Sequence, residues 1–351
     1  WSSDVCSSDL VESTFIGYDQ DSTETTIETI ISDGEVIKEA TKGMEVYAFL
    51  NKTPFYAESG GQIADIGSVT KENAKAVVKT VNKAPDGKHL HRLEIMEGTF
   101  HVGDHIVAKI DVPIRVQIIK NHTATHLLHQ ALIDVLGDHI TQAGSLVSKD
   151  RLRFDFTHFH GLEEDEINKI EILVNEKIWS QIPVTIEWKQ LEEAKEMGAR
   201  ALFDEKYGDR VRVVQIGDYS IELCGGCHVR NTSEIGLFKI ISESGIGAGT
   251  RRIEAVTSEH AYNYFQEKLH ILNESAKLLK TNDEKVPKQI EAMYSEMKTL
   301  QKENESLYAK LSNKEAETIV NEAEKIGDIF LLAKKVQAKD MNQLRKLVDE
   351  L

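Results

Sequence analysis

Two pairs of metal-type side chains stand at the same spacing in distant parts of the chain. One is His122-Thr-Ala-Thr-His126; the other is Cys224-Gly-Gly-Cys-His228. Side chains at i and i+4 share one face of a helix, so His122 and His126 can address one ion. Cys224 and His228 can supply two further donors, and four N/S donors suit tetrahedral Zn²⁺, one ion per chain. Beyond the first ten residues, Cys224 and Cys227 are the only cysteines. Each half alone has another reading. The His pair suits a polar rim on a helix, and the Cys pair suits a disulfide or a redox motif. A redox motif of this spacing opens a helix, whereas this one ends a hairpin. A zinc protease needs Glu after the first His as its general base, and this chain has Thr123 there. Cys227 stays open between ligand and bystander thiol at this point.

The elements that must position these groups can be read from period and punctuation. Pro113 suits a helix start and Gly137 a stop; Ile114, Ile118, Ile119, Leu127, Leu128, Leu132 and Leu136 recur at helical spacing between them. Arg212–Ile216 and Tyr219–Leu223 read as a strand hairpin around Gly217-Asp218. Gly225 and Gly226 then permit a tight turn that brings Cys224 and His228 together. Upstream, Val46–Leu50, Ala76–Val81 and His105–Ile110 are apolar runs between Gly turns, which points to a small β-barrel over 11–111. Residues 112–257 read α-β-β-α-β-α-β-β, an α+β core with an antiparallel sheet covered by helices, including helices near 163–180 and 191–203. Leu152, Phe154 and Phe156 face one way from their strand; Arg151, Arg153 and Asp155 face the other.

Several blocks carry a resemblance beyond the metal motifs. Thr53–Gln62, Asn121–Leu128, Gln142–Val147, Arg153–Phe156, Gly198–Phe203, Tyr207–Arg212, Cys224–His228, Ile235–Ile240 and Gly247–Ile253 are similar, in order, to the editing region of alanyl-tRNA synthetases and their free-standing relatives. Cys227 departs from that pattern, in which many members carry Thr. The resemblance implies zinc held by His122, His126, Cys224 and His228, beside the acyl-adenosine end of tRNA(Ala). It implies hydrolysis of mischarged Ser-tRNA(Ala) and Gly-tRNA(Ala). A synthetase pocket for alanine cannot strongly reject glycine or serine, so a second site is needed. Thr125 is the candidate reader of the serine hydroxyl, or else a residue that caps or packs locally. Gln142 is the second candidate, as a polar amide near the metal, or a strand-end residue bonding the backbone. Gly60 and Gly61 would form a backbone-rich wall against substrate. Arg153, Arg230 and Arg251 are candidates for tRNA contact.

Length and charge bound these expectations. The chain has 351 residues, 40% hydrophobic and 28% charged, which suits two to three globular domains. The net charge of −16, from 42 basic and 58 acidic residues, argues against nucleic acid. Much of the acid falls in runs such as Glu163–Glu166 that read as solvated helix faces, which leaves room for a local basic patch. No apolar run is long enough to span a membrane, and a cytoplasmic setting is expected.

The ends read differently. Residues 1–10 match nothing in the family pattern and read as non-native or disordered. From 258 the pattern is helical, with Pro287 between two arms. Ile290, Met293, Met297, Leu300, Asn304, Leu307 and Leu311 form a heptad seam, with Asn304 at one inner position. This predicts a helical hairpin or coiled coil over 258–326, with burial against the first arm preferred over a homodimer. Ile329–Ala333 reads as a strand and Met341–Leu351 as a helix, together the opening of a C-terminal domain at 327–351. No GxxxxGK[ST] segment is present, so ATP-driven ligation is placed in a domain outside this chain. The alternatives are a free-standing editing hydrolase and a non-catalytic RNA-binding or dimerisation module with structural zinc.

Overall fold

The computed structural model describes residues 11–201, 206–338 and 340–349. The sequence expectation for residues 1–10 lies outside them. Two compact units divide within one helix, the first ending at Phe265 and the second running from Gln266.

The first unit opens with a closed six-stranded antiparallel barrel. Its strands are β1 (Ser22–Ser32), β2 (Glu45–Leu50), β3 (Gly67–Lys71), β4 (Ala74–Lys83), β5 (His89–Glu97) and β6 (His105–Ile110). They pair in the order β6-β3-β4-β5-β2-β1, and β6 pairs back onto β1 to close the ring. Closure removes the unpaired edges that an open sheet would present. The alternation of β6, exposed then buried throughout, sends Ile106, Ala108 and Ile110 inward to join Val69, Val78, Leu93 and Phe100. Residues 57–65 form a loop outside the ladder. Ile63 donates to the Val147 carbonyl at 3.0 Å, and Val147 donates to the Gly61 carbonyl at 2.7 Å, which ties this loop to the next layer. Gly61 has φ +85°, and a Cβ there would meet the Ser145 carbonyl oxygen at 2.6 Å. Both facts require glycine.

Helix α1 (Val112–Leu136) leaves the barrel directly. Asp111 caps it by accepting from the Ile114 amide at 3.2 Å, with Pro113 in the first turn, where no amide is missed. Next come β7 (Gln142–Val147), β8 (Leu152–Thr157), α2 (Glu164–Trp179), β9 (Val184–Gln190) and α3 (Leu191–Glu196). The unit continues with β10 (Arg210–Ile216), β11 (Ser220–Leu223), β12 (Phe238–Gly247) and β13 (Thr250–Thr257). Two antiparallel sheets result, β7-β8-β13-β12 and β9-β10-β11. Leu127, Leu128 and Leu132 of α1, Ile170, Val174 and Ile178 of α2, and Phe154, Phe156, Phe238 and Ile253 of the larger sheet share one buried cluster.

The structure corrects the element order in three places. The expected sequence of elements omits the long β12–β13 hairpin, whose β13 pairs with β8 and completes the larger sheet. Its Gly245, Gly247 and two register shifts break the alternation that marks a strand. The helix expected at 191–203 ends at Glu196; Gly198 has φ +80° and Arg200 bridges to Glu222 of β11. Leu202 and Phe203 of that expectation lie outside the described residues. The third correction concerns the helical arms, α4 (Ser258–Leu278) and α5 (Val286–Val320). The apolar side chains of the α5 seam, Ile290, Met293, Met297, Leu300, Leu307 and Leu311, are 41 to 60% exposed, so the seam is not buried in an intrachain hairpin. After α5, Glu324–Ile326 pairs with Ile329–Leu331, and helix α6 (Met341–Asp349) follows.

Candidate metal centre

Helix α1 and the loop after β11 meet where the sequence places its two half-sites. The ligand atoms of His122, His126, Cys224 and His228 all lie within 4.8 Å of one another. Cys224 Sγ is 3.4 Å from His122 Nε2 and 3.3 Å from His228 Nε2. Zinc bonds of about 2.0–2.3 Å would set tetrahedral ligands about 3.3–3.8 Å apart, and the two Cys224 separations fit that range.

Each imidazole is held by its other nitrogen. His122 Nδ1 donates to Gln62 Oε1 at 2.8 Å, His126 Nδ1 to Glu222 Oε2 at 2.8 Å, and His228 Nδ1 to Thr123 Oγ1 at 3.0 Å. This leaves the three Nε2 atoms for the common point, and His126 Nε2 is buried with no hydrogen-bond partner. Fixing the tautomer through the far nitrogen is how proteins orient histidines around a metal. The donor set and the orphaned His126 nitrogen both fit zinc. Burial opposes charge on Cys224, but His122, His228 and His126 outweigh it and hold the thiol well below its usual range. Burial likewise opposes charge on Glu222, yet His126 and His129 keep its carboxyl well below the carboxylate range. Glu222 also accepts from His129 Nδ1 at 3.1 Å, so one buried carboxylate fixes two histidines of α1.

The Cys-Gly-Gly-Cys-His loop is clamped from both sides. Arg212 donates to the Cys224 carbonyl at 3.0 Å and to that of Gly226, and its guanidinium sits 3.9 Å over the Tyr18 ring. The Tyr18 hydroxyl donates to the Gly225 carbonyl. A Cβ on Gly226 would stand 2.0 Å from His122 Cε1, so only glycine lets the loop reach α1. Cys227 is buried but stands outside the ligand group. Its amide donates to Gln62 Oε1 at 2.9 Å, and burial pushes its thiol up, the reverse of Cys224.

A cavity of about 540 Å³ opens beside the centre, with His122, His126 and Cys224 in its wall. Thr125, Gln142 and Gly60 line it as well. The Thr125 hydroxyl donates to the Asn121 carbonyl at 2.8 Å, which leaves its oxygen able to accept. Arg153, Arg230 and Arg251 are placed elsewhere. Arg153 lies 3.9 Å from Asp155, Arg251 pairs with Glu243, and Arg230 is exposed; none lines the cavity. Its basic side chains are Lys83, Arg200, Lys206, Arg210 and Arg212, and Trp188 gives it an aromatic wall. Sequence reasoning passed over Glu222, although Ser220, Glu222 and the inward face of β11 put a carboxylate where alternation calls for an apolar residue.

Comparison with known proteins bears on this geometry. The family described as threonyl and alanyl tRNA synthetase second additional domain matches residues 211–254, which contain Cys224 and His228. The family of class II (A) tRNA synthetases matches residues 3–114. Alanine–tRNA ligase of Oceanobacillus iheyensis is 59% identical over 97% of this chain. The Bacillus subtilis and Geobacillus thermodenitrificans ligases are 57% and 56% identical over the same share. The chain belongs to the alanyl-tRNA synthetase family. It spans about 39% of the length of these relatives. No described helix is long and apolar enough to cross a membrane.

Proposed function

We propose that this chain hydrolyses the aminoacyl ester of mischarged tRNA(Ala), releasing serine or glycine, with one zinc ion held by His122, His126, Cys224 and His228. The observation that carries this reading is the position of the ligands, in the wall of a cavity rather than in a closed interior. When bound there, zinc supplies electrophilic polarisation or a fixed anchor for the ester.

The side chains supply the rest of the site. Gln62, Thr123 and Glu222 hold the three imidazoles in place before substrate arrives, so little reorganisation is needed at the reacting centre. Thr125 Oγ1, committed as a donor to Asn121, accepts the hydroxyl of a seryl group. Alanine offers no hydroxyl, so the contact favours the seryl ester. Gln142 lines the same cavity. Trp188 offers its ring to the terminal adenine, and Lys83, Lys206 and Arg210 meet the phosphates, a local cationic surface on an acidic chain. The tRNA(Ala) acceptor end is thus the partner, in a cytoplasmic setting. Ligation of alanine to tRNA, the activity in the relatives' name, is assigned to segments of theirs that this chain does not span. The exposed α5 seam adds self-association to the reading.

A second reading makes zinc structural in a tRNA-binding module, because four protein donors can fill a tetrahedron. Deacylation of Ser-tRNA(Ala) by the isolated chain separates the two. Hydrolysis that is lost on chelation while far-UV circular dichroism is unchanged supports the catalytic reading. Zinc-replete protein that binds tRNA and leaves the ester intact would sink it.

A further inference from the structure

Two imidazole nitrogens of α1 are buried with no hydrogen-bond partner among the described residues, His126 Nε2 and His129 Nε2. The metal centre accounts for the first, since His126 is one of its four donors. It does not account for the second. His129 stands outside the ligand group, yet it lines the same cavity, one helical turn beyond Thr125 on the same face of α1. An orphaned polar atom of this kind is costly to bury and calls for a reason.

The ring is held in one orientation from two sides. Its Nδ1 donates to Glu222 Oε1 at 3.1 Å, and the ring packs on that of Phe154 at 5.1 Å and 44°. Glu222 is fixed in turn. Its Oε2 accepts from His126 Nδ1 at 2.8 Å, and Arg200 Nη1 lies 3.5 Å from its Oε1. In the neutral His129 ring the proton therefore sits on Nδ1, and Nε2 carries the lone pair. A buried carboxylate that fixes the tautomer of an imidazole, with the far nitrogen uncommitted, is the arrangement by which hydrolytic sites prepare a general base. Because one carboxylate holds both rings, this one stands beside a metal donor in the cavity wall.

We propose that His129 is the general base of ester hydrolysis in this cavity. Its Nε2 takes a proton from water as the water oxygen bonds to the ester carbonyl carbon. The bond from that carbon to the ribose oxygen then breaks. The proton passes from Nε2 to the departing ribose oxygen, and the amino acid leaves with the new carboxyl group. One water is consumed and the ring returns to its starting state. Glu222 offsets the positive charge on the ring between the two transfers. The proposal rests on the editing reading, because it needs an ester in the cavity.

The test uses the full zinc-loaded chain and Ser-tRNA(Ala). His129→Asn keeps a donor for Glu222, because the Asn amide nitrogen falls near the place of Nδ1, and it removes the Nε2 lone pair. This variant should retain stoichiometric zinc and the circular dichroism of the parent. Its kcat should fall about 100- to 1,000-fold while KM stays within about twofold. Added imidazoles should restore part of the rate to His129→Ala, and more of it the more basic the imidazole. In the parent chain, NMR of the ring nitrogens should show His129 with its proton on Nδ1. A parent-like kcat in His129→Asn overturns the base alone, as does a proton on Nε2 in place of Nδ1 or a rescue indifferent to basicity. A loss confined to KM also overturns it and makes His129 a substrate-binding group. If the parent chain itself leaves the ester intact, the editing reading falls, and the base falls with it.

Discussion

At the scale of single residues, the two cysteines differ by three positions and by opposite environments. Cys224 faces three imidazoles, and Cys227 faces Gln62 in a buried pocket. Cys224→Ala should lower zinc below stoichiometry and abolish deacylation. Cys227→Thr should leave zinc content unchanged, and metal analysis of the purified variants checks both. Thr125 is subtler, because its proton already goes to Asn121 and only its oxygen is left for substrate. Thr125→Val should cut the preference for seryl over alanyl ester about 10-fold, with zinc retained. Unchanged ratios among seryl-, glycyl- and alanyl-tRNA would make Thr125 a packing residue. The sequence exposed the four donors because i, i+4 spacing is a local property. Gln62, Thr123 and Glu222 were hidden as partners because each acts across 60, 105 or 96 positions, which follow from subtracting the numbers of the residues they hold. Two pairings near the arginines were hidden for a related reason: Arg251 donates to Glu243, and Arg252 takes Asp155, the carboxylate nearest Arg153, which sequence clustering cannot show.

At the scale of elements, the barrel delivers the loop that carries Gln62, and a buried histidine fastens that loop. His91 on β5 donates from Nδ1 to the Ala48 carbonyl at 2.9 Å and accepts at Nε2 from the Thr53 hydroxyl at 2.7 Å. Thr53 in turn accepts from the Phe55 amide, just before the loop. Burial lowers the His91 pKa to about 4, and neighbouring His89 works in the same direction. The unfolded chain binds this proton near pH 6.5, so it binds more protons than the folded chain between about 6.5 and 4. The contribution is therefore complete above pH 6.5 and is lost as pH falls towards 4, a decline of about 3 kcal/mol. Chemical denaturation from pH 7 to 4.5 should show this loss, and NMR titration should place the His91 midpoint near 4. A midpoint near 6.5 would contradict the buried neutral imidazole. The barrel itself was legible from β-rich runs between glycine turns. Closure was not, since the β6–β1 pairing joins residues about eighty positions apart and no local pattern encodes it. The β12–β13 hairpin was missed because bulges and glycines erase its period.

At the scale of the whole molecule, every group in the candidate site belongs to the unit that ends at Phe265, while the heptad seam belongs to the other. The sequence identified the seam correctly as apolar every three or four residues, but the expected burial against the first arm is not found. Periodicity reports that a face needs a partner and is silent on whether the partner is in the same chain. Six apolar side chains at 41 to 60% exposure on one helix form a continuous stripe, and Asn304 among them is the polar residue that fixes register in paired helices. On the proposed self-association, a second copy of α5 would cover this stripe. Sedimentation of the chain should then show a monomer–dimer equilibrium in the micromolar range. The paired substitution Met297→Glu and Leu300→Glu should shift it to monomer by placing like charges opposite one another at the interface. Because neither residue touches the metal centre, kcat/KM for a short acceptor-stem substrate should stay within about twofold of the parent chain. A monomer at all concentrations would assign the stripe to a partner outside this chain. A dimer whose loss also removes deacylation would show that the two units are coupled in function.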